Sequence, residues 1–162
     1  MVATEKVRVR RIDAVHDSRD VDGPLDYMDA VTVGIADRDD RSPEQWFRAV
    51  FEGAPLLVRC VLIVGWRTAL LLRLGPRRSP AHILGWRIRS SDDATIRLHT
   101  ESVLLTALLV LRLSDNRVVV TSNVAYKTSL ARPVWTMVKP IHRLMLPYLV
   151  GRAAKRVEVI RA

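Results

Sequence analysis

A lone cysteine, Cys60, leaves the chain with no internal disulfide and without the second thiol that a metal or redox motif requires. A reducing, cytoplasmic setting is the simplest expectation from that usage. Histidine is nearly as sparse. His16, His82, His99 and His142 show no ligand spacing, so no metal is expected. The sequence has no glycine-rich phosphate loop, no G-x-S-x-G elbow and no cysteine–histidine nucleophile pattern, and it points to no cofactor. No uninterrupted apolar run reaches the roughly 20 residues of a spanning helix. The stretch "APLLVRCVLIVGWRTALLLRLG" (54–75) is broken by Arg59, Arg67 and Arg73, and "SVLLTALLVLRL" (102–113) is too short. The opening "MVATEKVRVRRIDAV" lacks the apolar centre of a secretory signal, so no export is expected.

Acidic residues are unevenly missing. Residues 1–40 carry ten acids and six bases, whereas 41–162 carry seven acids and twenty bases, giving a net charge of +9. None lies between Gly53 and Ser91 or between Asn116 and Val157. Such a field attracts phosphates, acidic ligands or an anionic membrane surface. Of the 26 basic residues 22 are arginine, spread along the chain rather than clustered. Interleaved aromatics and a recognisable motif are lacking, which argues against a nucleic-acid partner.

What the chain does have is apolar content, 49% against 27% charged, enough for one folded domain. Residues 1–26 are polar and end in "DVDGPLD", and read as an N-terminal arm or leader strand ahead of a single domain at 27–162. "YMDAVTVGIA" (27–36) reads as a strand. Ser42, Pro43 and Gln45 start a short helix that runs to about Glu52, and 55–74 reads as a second helix closed by Gly75 and Pro76. Four strands follow at 83–90, 94–100, 103–113 and 117–128, separated by "SDD" and "SDN", so an antiparallel meander is expected. By alternation Trp86, Ile96, Leu98, Val118, Val120, Ser122, Val124 and Tyr126 face one side. The third strand is apolar on both faces, so Leu104, Leu108 and Val110 need cover from another element or from a second copy in a homodimer.

The last segment, "RPVWTMVKPIHRLMLPYLVGR", carries Pro133, Pro140 and Pro147 seven residues apart. A helical wheel gathers Val134, Met137, Val138, Ile141, Met145, Tyr148 and Leu149 on one stripe opposite Lys139 and Arg143. Proline removes a helical hydrogen bond, and a spacing near two turns makes the bends add, so a bent helix lying across a curved sheet is expected.

A strand, two helices, a meander and a long C-terminal helix resemble the helix-grip fold of the START-like superfamily (SRPBCC, including the birch-pollen allergen type), an α+β class. More locally, Val118 to Val124, Ala131 to Trp135 and Pro140 to Leu144 resemble a bacterial domain-of-unknown-function family with V-x-V-T-x-x-V, G-R-x-Y/W and P-F-H-R-L steps. "YMDAVTV" and "SPEQWFRAVFEGAP" extend the likeness over about 27–154, with Ala131 in place of glycine and Ile141 in place of phenylalanine. The resemblance implies a habit of holding apolar ligands between sheet and helix.

The expected function is binding of a hydrophobic or amphipathic small molecule of the lipid, polyketide or isoprenoid class. Trp86, Leu98, Ser122, Tyr126, Val138, Ile141, His142 and Met145 are the expected lining. One alternative is a cyclase- or dehydratase-like enzyme with His142 and Tyr126 as acid and base. A membrane-surface or protein interaction module, docking through 55–74 and the third strand, is the other.

Overall fold

Ser42 begins the first helix as its position before Pro43 implies. In the computed structural model, which describes residues 7–14, 23–35 and 39–159, its hydroxyl accepts from the Gln45 N–H while Gln45 Oε1 accepts from the Ser42 N–H. Such a reciprocal cap contributes about 1 kcal/mol. The helix, α1 (Pro43–Phe51), buries Trp46, Phe47, Val50 and Phe51. The second helix, α2 (Leu56–Thr68), ends sooner than the expected 74. Leu71 adopts a φ of 54°, the Leu72 N–H donates to the Trp66 carbonyl, and the Arg73 N–H donates to the Glu101 carbonyl. The chain leaves the helix there because a backbone partner on the sheet holds it.

Among the described residues eight strands form one antiparallel sheet in the order β1 (Val9–Ile12), β2 (Tyr27–Gly34), β8 (Arg117–Tyr126), β7 (Leu105–Ser114), β6 (Thr95–Glu101), β5 (Trp86–Ser91), β4 (His82–Ile83), β3 (Arg78–Ser79). The meander is present, but the strand expected at 83–90 is split. Leu84 and Gly85 both have positive φ, 48° and 93°, so Ile83 pairs with Trp86 across a tight turn. A Cβ on residue 85 would stand 2.9 Å from Leu74 Cβ, which leaves glycine as the residue that fits. Asp92 shapes the β5–β6 turn by accepting from the Ala94 and Thr95 N–H groups, which lowers its pKa. The β6–β7 turn, which has no clear signal in the sequence, is built by Ser102. Its buried hydroxyl accepts from the Leu104 and Leu105 N–H groups at 3.0 and 3.1 Å.

One sheet face carries the core. Val31, Val33, Leu98, Leu105, Leu111, Val118 and Val120 meet Trp46, Phe47 and Phe51 of α1 and the last helix. Leu104, Leu108 and Val110 are all buried within the single chain.

That last helix, α3 (Ala131–Val159), continues for 29 residues through Pro140 and Pro147. Pro147 has no N–H, so the Arg143 carbonyl one turn back loses its helical donor. Arg11 of β1 supplies a replacement through Nη2 at 2.8 Å. Gly151 lets the two elements approach, since a Cβ there would lie 2.8 Å from Val9 Cγ2. Part of the expected leader is therefore an edge strand bound to α3; residues 1–6 and 15–22 lie outside the described residues.

The expected stripe of α3 faces the core only in part, with Leu149 buried and Val134, Val138 and Met145 partly buried against the core. Met137, Ile141 and Tyr148 are 79%, 59% and 48% exposed, while Ala131, Trp135, Leu146, Leu149, Val150 and Ala153 are buried. The helix carries two apolar stripes, and the one with small residues at its C-terminal end can approach the sheet most closely. Among the described residues no single helix is long and apolar enough to cross a membrane; α1 and α2 pass that test only as a pair, bent by 94°.

Candidate functional site

Helix α2 is apolar, yet none of its thirteen residues is fully buried. Its N-cap is Pro55, which offers no side-chain hydrogen bond. Trp66 is its main hold on the core, meeting Phe51 and Trp86 edge-on at centroid distances of 5.8 and 5.5 Å. Leu57, Val61 and Val64 stay exposed.

Between the sheet, α2 and α3 lies a partly open space of about 180 Å³, which accounts for this loose seat. Ala107, Leu109, Ser122 and Val124 form its floor, with Trp86 beside them. Leu62, Gly65, Trp66 and Ala69 of α2 form one wall, and Trp135, Val138, His142, Met145 and Leu149 of α3 form the other. Val61 and Ile141, both exposed, flank the opening between the helices.

The space thus brings together Trp86, Ser122, Val138, Ile141, His142 and Met145. Leu98 instead lies fully buried in the core, and Tyr126 sits at the end of β8 with its backbone N–H held by Asp26 Oδ2 at 2.7 Å; neither lines the space. The acid/base partner expected for His142 is therefore not beside it. Thr121 alternates away from Ser122 to the opposite sheet face, and Asn123, which shares that register, nonetheless borders the space.

Five polar side-chain atoms of residues bordering the space are shielded from solvent and have no hydrogen-bond partner: Ser122 Oγ, Asn123 Nδ2, Trp86 Nε1, Trp135 Nε1 and His142 Nε2. Among the described residues none that lines the space is charged. Burial pushes the His142 pKa down to about 4, with the Asp29 carboxylate opposing and the Arg11 charge assisting, so the imidazole is neutral at pH 7.

Beside the space lies a cluster that sequence reading missed. Tyr27 packs against Trp135 and His142 at centroid distances of 5.1 and 6.1 Å, and Trp135 meets His142 at 5.4 Å. Burial, then the Asp29 charge, raises the Tyr27 pKa to about 12. Asp29 is itself buried, and its Oδ1 pairs with Arg11 Nε at 3.1 Å. The signal was present in "YMDAVTV", where alternation puts Tyr27 and Asp29 on the same face as Val31 and Val33. Among the described residues no three His, Cys, Asp or Glu side chains gather to hold a metal.

An unpartnered buried hydroxyl costs stability. Ser122→Ala is expected to stabilise the ligand-free protein by about 1 kcal/mol, raising Tm by about 2–4 °C in a thermal melt. An unchanged or lower Tm would mean that the hydroxyl is already satisfied.

No family model and no curated protein matches the sequence. Among solved structures, the crystal structure of protein Ms6760 from Mycobacterium smegmatis is similar at 11% identity and a TM-score of 0.41, over 88% of this chain and 95% of that one. A likeness at that level carries no inference about function.

Proposed function

We propose that the protein is a noncatalytic binding protein of START-like, helix-grip type, related to the domain-of-unknown-function family that its C-terminal motifs resemble. It holds a hydrophobic or amphipathic small molecule of the lipid, polyketide or isoprenoid class between sheet and C-terminal helix. The carrying observation is the apolar space beneath α2, a helix with no fully buried residue. An apolar helix so weakly seated gains burial when something fills the gap under it.

Size narrows the reading. About 180 Å³ seats a ring-sized fragment, comparable to the roughly 150 Å³ cavity that takes benzene and below the roughly 300–1,000 Å³ of drug-sized sites. A longer chain enters by displacing α2 outward, and Trp66 is the contact it must loosen.

The test is thermal denaturation of delipidated protein against a panel of fatty acids, isoprenoids and aromatic polyketides. At tenfold excess over Kd a ligand should add about 1.4 kcal/mol by mass action. Ala107→Phe, which fills the floor, should abolish that shift while leaving the protein folded. If the panel gives no shift and the filled variant melts higher than the native protein, the space is only a packing defect and the proposal fails.

A further inference from the structure

The five unpartnered atoms around the space are not a balanced set of hydrogen-bonding groups. An indole N–H can only donate, whereas a hydroxyl and a neutral imidazole can do either. Trp86, Trp135 and the Asn123 amide NH2 therefore supply obligate donors, Ser122 and His142 supply two adaptable groups, and none of the five unpartnered atoms is an obligate acceptor. Shielded donors without acceptors cost free energy, and they recover it only from an occupant that brings acceptor oxygens.

Charge restricts the occupant further. Among the described residues the lining has no lysine, arginine, aspartate or glutamate. Arg11, the cation closest in character to a counter-ion, is committed to Asp29 and to the Arg143 carbonyl. Asp29 stands directly across from Ser122 in the β2–β8 register, on the same face, so negative charge already lies beside the polar end of the space. A carboxylate or phosphate placed there would lose its hydration, meet no cation and face a like charge. An uncharged carbonyl meets the donors without that penalty.

We propose that the ligand carries an uncharged carbonyl-type acceptor, as in a ketone, quinone or ester, and that the site rejects free carboxylates and phosphates of the same size. This rests on the binding reading above and specifies the chemistry of the ligand's polar end. The donors that recognise it are the indole N–H groups of Trp86 and Trp135, with Ser122 and His142 adjusting to the second lone pair.

Three probes of nearly equal size separate the contributions: acetophenone, ethylbenzene and benzoate, titrated calorimetrically into delipidated full-length protein at pH 7.5. Acetophenone should bind at least tenfold more tightly than ethylbenzene, and benzoate more weakly than either. Trp135→Phe and Trp86→Phe, each keeping an aromatic ring but removing the N–H, should reduce the preference for acetophenone and leave ethylbenzene binding nearly unchanged. Benzoate binding as well as acetophenone would overturn the charge argument. Ethylbenzene binding as well as acetophenone, in the native protein, would overturn the donor argument while the binding reading stands. Binding of none of the three, together with no hit in the wider panel, would overturn both.

Discussion

Replacing Arg11 with alanine is expected to cost about 2–3 kcal/mol of folding free energy, a large fraction of a typical domain's margin. Two losses combine in that figure. The Asp29 carboxylate, with its side chain 5% exposed, loses its ion-pair partner among the described residues, and the Arg143 carbonyl freed by Pro147 loses its donor. The guanidinium is itself 36% exposed, which keeps the cost below the roughly 3–5 kcal/mol of a fully buried pair. Urea titration of Arg11→Ala, Asp29→Asn and the double variant supplies the check. The double variant should be more stable than the sum of the single changes implies, by at least about 1 kcal/mol, because neutralising Asp29 removes the stranded charge. Additive effects, or an Arg11→Ala cost near zero, would show that β1 rests on α3 without energetic consequence.

Acidification is expected to act through His142. Its folded pKa of about 4 lies below the ordinary value of 6.5, so between those pH values the unfolded chain takes up a proton that the folded one refuses. The stability that depends on neutral His142 is thus complete above pH 6.5 and is lost as pH falls towards 4. The loss approaches about 3 kcal/mol at the lower limit. The groups that oppose or assist it are Asp29, which favours the imidazolium, and Arg11, which disfavours it. Carboxylates elsewhere also titrate over this range, so the comparison is with His142→Gln, which keeps a polar side chain without a titration. Between pH 7 and 4.5 the native protein should lose about 2 kcal/mol more than the variant. Equal losses would place the ring in water rather than between Trp135 and Tyr27.

Local chemistry was the most legible part of the sequence. Ser42, Pro43 and Gln45 specify a helix start through hydrogen bonds within four residues, and Asp92 specifies a turn in the same way. The order of strands and helices followed from such signals. What depended on the third dimension did not. Leu84 gives no hint of a positive φ, so the β4–β5 turn was hidden inside an apolar run. The wheel of α3 put Met137, Ile141 and Tyr148 on the core stripe and left out Trp135 and Val150, because a periodicity does not tell how the helix is rotated against the sheet. Tyr126 and Leu98 have the right alternation for the site but sit at other levels of the sheet, a coordinate along the strand that alternation does not carry. Asp29 was overlooked because a single acid in a strand reads as a solvated residue unless its face is checked against its neighbours.

The bond from Arg11 to the carbonyl beneath Pro147 has a bearing on solubility. Residues 9–12 cover β2 from Ala30 to Val33, and the two arginines they place on the sheet's rim discourage further strands from adding there. A chain trimmed back to residue 27 would bare that margin of β2, and an uncovered run of backbone donors and acceptors is a template on which neighbouring molecules zip together. The leader segment therefore helps to keep the sheet from growing beyond one molecule.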